Sequence, residues 1–218
     1  MTTVTTALRA IDVHKTYRRG REQVHALGGV SIEVRPGEVV ALLGRSGSGK
    51  TTLLNCLLGW ERPDRGAVEV PGAGNPAAAA WSTVAIVPQR FGLLEELTLA
   101  DNVAMAARLG GVDAPRDAAI ATLETLRLGH LAHRLPDEVS LGEQQRTAIA
   151  RALVLAPRLA VLDEPTGHQD DEHVGLILNA LVTAARAGTL VLVATHDQRV
   201  IDVADETVRL RSGRIEGR

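Results

Sequence analysis

The chain has 218 residues, is 45% hydrophobic and carries 24 basic against 26 acidic side chains, for a net charge of −2. That is enough apolar material for one real core and too little basic excess to drive binding to nucleic-acid phosphate or an anionic membrane surface. A single cysteine, Cys56, excludes an internal disulfide framework and fits a reducing compartment. Residues 7–13 read as a strand, and Val30, Ile32 and Val34 alternate with Ser31, Glu33 and Arg35 at the period of a half-buried strand. Pro36-Gly37-Glu38 then turns the chain into Val39–Leu43, an unbroken apolar run of the kind covered on both faces. A glycine-rich loop follows, then a helical pattern over 50–58 that stops at Gly59. Residues 71–80 are a Gly/Pro/Ala surface connection leading to a strand at Val84–Val87.

The middle of the chain is helical. Thr98 with Asp101 opens a helix that stops at Gly110-Gly111, and Pro115 opens another to about residue 126. Ser140 and Glu143 have capping-box spacing for a helix that continues to Pro157, so its first amides are aimed at whatever lies beyond Ser140. The last third alternates again: a strand at 159–162, a helix carrying Val174, Ile177, Leu178, Leu181, Val182 and Ala185, a strand at 189–194, and a hairpin from Glu206 through Ser212-Gly213. Strands alternating with helices predict an α/β fold with a mostly parallel sheet and a helical insertion at 90–155. No apolar run approaches the roughly 20 residues of a membrane-spanning helix, and residues 1–6 do not resemble a secretory signal, so a cytoplasmic location is expected.

Gly44-Arg45-Ser46-Gly47-Ser48-Gly49-Lys50-Thr51 matches G-x-x-x-x-G-K-[ST] and stands between a buried strand and a helix, the context this phosphate-binding loop requires. Its glycines allow the backbone to curl its amides around a phosphate, Lys50 adds a full positive charge, and Thr51 offers a hydroxyl to Mg²⁺, with Thr52 next in line. The apolar strand at 159–162 ends in Asp163 and Glu164, placing two carboxylates at the edge where doubly wound sheets bind ligands. Asp163 suits Mg²⁺, and Glu164 suits polarisation of an attacking water. The guanine-reading Asn-Lys-x-Asp pattern is absent.

Taken together, the motifs resemble the ATP-binding subunit of an ABC transporter, over nearly the whole chain. Tyr17 resembles the aromatic residue that stacks on adenine, and Gln89 the glutamine that contacts nucleotide and metal and links them to the membrane partner. Val139-Ser140-Leu141-Gly142-Glu143 resembles the signature, Asp163-Glu164 the Walker B carboxylates, Asp170 the D-loop aspartate and His196 the switch histidine. The resemblance implies a P-loop ABC cassette in one domain, 1–218, with an N-terminal antiparallel β part. Residues 1–89 and 156–218 would form the catalytic core and 90–155 a helical subdomain. It further implies a head-to-tail dimer, of two copies or of this chain with a related ATPase subunit. Each ATP would lie between the Lys50 loop of one chain and Ser140, Gly142 and Glu143 of the other. Catalysis would rest on Lys50, Gln89, Glu164 and His196, with Mg²⁺ on Thr51, Gln89 and Asp163. The energy would drive a separate transmembrane permease, with this chain peripheral on the inner membrane face.

The compact length and the Pro-Thr-Gly after Glu164 are most similar to the group serving lipoprotein release, macrolide export and cell-division permeases. Two alternatives are a soluble ABC-type ATPase of DNA repair or translation, disfavoured by the missing basic excess, and a weakly active regulatory module. Two departures stand out: one, at 141, keeps the regulatory module in view, and the other, at 168–169, raises pairing with a related ATPase subunit. Leu141 stands where the signature has its first glycine, and His168-Gln169 stand where the D-loop has Ala and Leu. A positive φ at position 141 would make leucine costly, whereas a place in the first helical turn would tolerate it. Tyr17, before Arg18, Arg19 and Arg21, is expected on a ligand-facing loop. Trp60 and Trp81 are expected to be packing anchors, and Cys56 a core residue.

Overall fold

A computed structural model describes residues 7–20 and 22–217. The expectations for residues 1–6 and Arg21 lie outside the described residues. β1 (Leu8–Arg19), β2 (Glu22–Val34) and β4 (Arg65–Glu69) form an antiparallel sheet in the order β2-β1-β4. β1 runs well past residue 13 because β2 pairs with it to its end, from Leu8 opposite Val34 to Arg19 opposite Glu22. Tyr17 therefore sits within a strand, opposite Val24, and the expected loop is corrected. Ladder hydrogen bonds to β2 outweigh the polar, turn-like look of the arginines that follow it.

The second sheet contains β3 (Val39–Leu43), β5 (Val84–Val87), β6 (Leu159–Asp163), β7 (Leu190–Thr195), β8 (Glu206–Arg211) and β9 (Arg214–Gly217), in the order β5-β6-β7-β3-β8-β9. All its pairs are parallel except the terminal β8–β9 hairpin. β3 and β7 are buried along their whole length, as their uninterrupted Val/Leu/Ala runs require. The register places Val87 opposite Leu162, Asp163 opposite Ala194 and Leu43 opposite Thr195. Four strands thus end level, and the residues that follow them share one edge.

Six helices complete the fold: α1 (Lys50–Leu57), α2 (Leu99–Leu109), α3 (Pro115–Thr125), α4 (Leu141–Leu153), α5 (Asp171–Arg186) and α6 (Gln198–Val203). Side chains of β3 alternate between two cores. Val39, Ala41 and Leu43 join the apolar faces of α2 to α5, while Val40 and Leu42 pack with α1 and the antiparallel sheet. Helices α2 to α4 lie between β5 and β6 in the chain, and the fully buried Asn102 of α2 anchors the segment that leads into them. Its amide nitrogen donates to the carbonyls of Leu94, Leu97 and Thr98, while its oxygen accepts from the Leu94 N–H. Cys56 is buried in the α1 core, and burial pushes its thiol up to about 11, which makes it unreactive. Trp60 is not a packing anchor, being 55% exposed beyond the end of α1. Trp81 is also partly open, and its ring faces the Arg151 guanidinium at 5.7 Å. An aromatic residue is buried only where a neighbouring element covers it, and no local pattern reports that.

Candidate active site

The loop from Gly44 to Gly49 leaves the C-terminal end of β3 and runs into α1. Gly47 and Gly49 hold left-handed backbone at φ 77° and 106°. A Cβ on Gly49 would also stand 2.5 Å from the Ala26 carbonyl oxygen, so glycine is required there on both counts. The first turn of α1 carries no acidic side chain, leaving its amides to an anion. Lys50 Nζ donates to the Gly44 carbonyl, which keeps the ammonium at the loop.

One cavity of about 1060 Å³ gathers most of the expected residues: Tyr17, the whole run Gly44, Arg45, Ser46, Gly47, Ser48, Gly49, Lys50, Thr51 and Thr52, then Gln89, Asp163, Glu164 and His196. Level strand ends explain the convergence, because the loop follows β3, Gln89 follows β5, the carboxylates end β6 and His196 follows β7. Glu164 has φ 51°, and its N–H donates to the Ala194 carbonyl at 2.8 Å. Its carboxylate lies 2.9 Å from His196 Nδ1 and accepts from Thr195 Oγ1 at 3.2 Å. A left-handed glutamate is a strained conformation, held here by bonds on both sides of the residue. Burial, and then the Glu164 charge, push the Asp163 carboxyl up, against the pull of Lys50. A cation beside Asp163 would relieve that cost.

Beyond His196, Asp197 caps α6. It receives the Arg199 N–H at 3.0 Å and pairs with the Arg199 guanidinium, whose Nη2 lies 2.8 Å from Oδ2. Hydrogen bonding to Arg199, helped by Thr166, lowers its pKa to about 2. A depressed carboxyl stabilises the fold above its unfolded value and stops doing so as pH falls through the folded one. The span from 3.8 to about 2 corresponds to about 2 kcal/mol at neutral pH. Asp197→Asn is expected to lose this at pH 7, and the gap from the native chain should narrow below pH 4. Urea unfolding at pH 7, 4 and 3 measures it, and a gap that stays constant would refute the assignment.

Residues 27–167 match the ABC transporter family. The chain belongs to that family. It is 42% identical over 214 residues to the lipoprotein-releasing system ATP-binding protein LolD of Pseudomonas syringae, a match covering 92% of this chain and 93% of that protein. It is also 36% identical over 221 residues to the macrolide export ATP-binding/permease protein MacB of Chlorobium luteolum. That match covers 98% of this chain but only 33% of MacB, so the chain spans about one third of that relative's length. Among solved structures, the dimeric ATP-binding cassette MJ0796, bound to ADP and Pi in a post-hydrolysis state, superposes with a TM-score of 0.88 at 29% identity, covering 96% of this chain and 97% of that one. The chain is accordingly an ABC ATPase cassette, an α/β fold with a mostly parallel sheet.

The remaining residues expected at the nucleotide, Ser140, Gly142, Glu143 and Asp170, do not line this cassette's cavity. Ser140 caps α4, and its N–H and Oγ both donate to Glu143 Oε2, at 2.7 and 2.8 Å. Burial alone would raise the Glu143 carboxyl, but the two Ser140 bonds, together with the Arg146 and His130 charges, hold the group below its ordinary range. Asp170 caps α5, its Oδ1 accepting from the His173 N–H at 2.9 Å. Leu141 is the first residue of α4, is absent from the positive-φ residues and is 56% exposed. Its Cβ therefore meets no backbone obstacle. Leu141→Gly is expected to retain or raise ATP turnover while costing at most about 1 kcal/mol of stability. Steady-state hydrolysis checks this, and a large loss would make Leu141 an adapted contact.

The cavity is also lined by residues that sequence reasoning did not assign to the site, among them His25, Gln145 and His168. His25 is opposite Thr16 across the β1–β2 ladder, with its Nδ1 3.0 Å from Thr16 Oγ1. A hairpin closing beyond Tyr17 was the available signal. Gln145 is 2% exposed on α4, where nothing in an Ala-rich helix distinguishes an inward glutamine from an outward one.

Proposed function

We propose that this cassette works as one half of a head-to-tail pair, in which each ATP is held by the Lys50 loop of one chain and the Ser140 helix start of the other. The observation that carries this reading is the division of the binding groups. The cavity of one chain holds Lys50, Gln89, Asp163, Glu164 and His196, while Ser140 and Gly142 lie outside it on a second helix start. Two anion-binding helix starts on opposed chains can clamp a triphosphate from both sides. The dimeric state of the MJ0796 cassette supports the pairing. A related ATPase subunit could take the place of the second copy.

In this reading the loop amides and Lys50 bind the β- and γ-phosphates, and Tyr17 stacks on the base. Thr51, Gln89 and Asp163 offer a hydroxyl, an amide and a carboxylate oxygen in one cavity, a donor set suited to Mg²⁺, which keeps few protein ligands and takes the rest from phosphate and water. When bound, Mg²⁺ neutralises the phosphate charge. Glu164 orients and deprotonates the attacking water, and His196 steadies the γ-phosphate from the end of β7. Replacing one bridging anion by two that repel each other reopens the pair.

The partner we infer is a transmembrane permease, reached through the segment after Gln89; the name of the MacB relative, an ATP-binding/permease protein, supports a permease partner. Among the described residues, no helix is long and apolar enough to cross a membrane. The chain would then sit peripherally on the cytoplasmic membrane face, with no role for nucleic acid. The pairing is tested with Ser46→Cys/Ser140→Cys in the intact chain, since the native Cys56 is buried and silent. ATP-dependent disulfide dimers are expected. Full turnover without any ATP-dependent cross-link would overturn the head-to-tail reading. Affinity purification from membranes should recover a multi-span protein, and recovery of ribosomes or nucleic acid alone would overturn the transport reading.

A further inference from the structure

The D-loop departure at Gln169 does not present a polar side chain to a dimer partner. Its side chain turns inward against α4, where Nε2 donates to the Gly142 carbonyl at 2.9 Å and to Gln145 Oε1 at 2.9 Å. Its Oε1 accepts from Arg146 Nη1 at 2.6 Å. Gln145 continues the chain of bonds, its Nε2 donating to the backbone carbonyl of Glu164 at 2.8 Å. Glu164 holds left-handed φ, so a bond to its carbonyl acts on the peptide that sets its carboxylate. The approach is close: a Cβ on Gly142 would stand 2.7 Å from the His168 carbonyl oxygen. Gln145 and Arg146 are 2% and 5% exposed, so these bonds are made away from water, where each holds its geometry more firmly than at the surface; of the network's buried side-chain atoms only Arg146 Nε has no partner among the described residues. A leucine at 169 could make none of them.

We propose that Gln169 is a positioning residue that locks the start of α4 to the Glu164 backbone, so that the helix start serving one ATP and the carboxylate serving the other move as one body. This rests on the head-to-tail reading, in which Ser140 and Glu164 of one chain face different nucleotides. Gln169 touches no nucleotide in that arrangement; it acts through Gln145. The coupling is carried by named hydrogen bonds, and Gln145 is the side chain that joins α4 to the Glu164 carbonyl, which also accepts the Gly167 N–H at 3.2 Å.

The test is Gln169→Glu in the intact chain. This variant keeps an acceptor for the buried Arg146 but loses both donated bonds, so it avoids stranding a buried charge. Expected is a fall in kcat of about tenfold, the equivalent of about 1.4 kcal/mol in the barrier, with KM for ATP within about twofold of the native chain. Gln145→Leu removes the next link and should give a similar fall. The double variant should be no worse than the poorer single one, because both break one path. Additive losses, or an unchanged kcat per folded molecule with only a lowered melting temperature, would overturn the proposal. Glu164→Gln and Lys50→Ala run alongside separate the two ideas. If they abolish turnover while Gln169→Glu does not lower it, only the positioning role fails; if they leave turnover intact, the underlying site assignment fails.

Discussion

Glu164→Gln is expected to lower steady-state ATP turnover by a factor of about 100 or more, the scale of a positioned general base, while leaving ATP affinity intact. Glutamine is isosteric, so it retains an oxygen for the bond from Thr195 Oγ1 and keeps the backbone bond from Glu164 N to Ala194. What it removes is the negative charge that can take a proton from water. The site also loses a charge beside Asp163, whose carboxyl is pushed up by burial and then by Glu164, so Mg²⁺ and nucleotide binding should not weaken. With binding kept and cleavage stopped, ATP remains between two chains, and size-exclusion chromatography with ATP should show a stable dimer. Turnover near that of the native chain would remove Glu164 from the reaction.

Lys50→Ala is expected to weaken ATP binding by about 2–4 kcal/mol, on the order of 30- to 1,000-fold in affinity, since it deletes the ammonium at the helix end of the loop and leaves Arg45 as the loop's other cation in the cavity. The fold should be nearly unaffected. Lys50 opens α1 half-buried, its side chain bonds only the Gly44 carbonyl among the described residues, and alanine is the best helix former. The loop amides, and the left-handed glycines that aim them, remain in place. Residual binding of phosphate should therefore survive, and titration with a fluorescent ATP analogue, alongside melting temperature, separates the two effects. Unchanged affinity would mean that the loop amides alone hold the triphosphate.

Different parts of the molecule were legible to different degrees. The phosphate loop is written locally, since strand, glycines, lysine and helix start are consecutive and each needs only its neighbours. Asp163 and Glu164 were legible because an apolar run that ends in carboxylates marks a strand end, and parallel strands present their C-terminal ends together. The same logic carried His196 at the end of β7. The cap of α4 was readable from Ser140 and Glu143 three residues apart. In contrast, Tyr17 lay in a strand that the arginine cluster disguised as a loop, and Trp60 stood out in solvent where packing was expected.

The open question at Leu141 shows where local reading stops. Sequence framed two backbone conformations, and the structure chose helix, because Ser140 and Glu143 satisfy the first amides and start α4 one residue before Leu141 matters. Gln169 was readable only as a departure. Its meaning depends on Gly142, Gln145 and Arg146, which lie more than 20 positions away and meet it only when α4 packs beside the turn after β6. The amino-acid order by itself determined most of the elements, though not β4, α6 or the full length of β1, together with the phosphate loop and which residue types stand at the strand ends, because these follow from backbone preference and hydrophobic period over a few residues. Which side chains face one another across the site was decided only by tertiary packing, since a hydrogen bond between distant segments exists only once both are held in place by a shared core.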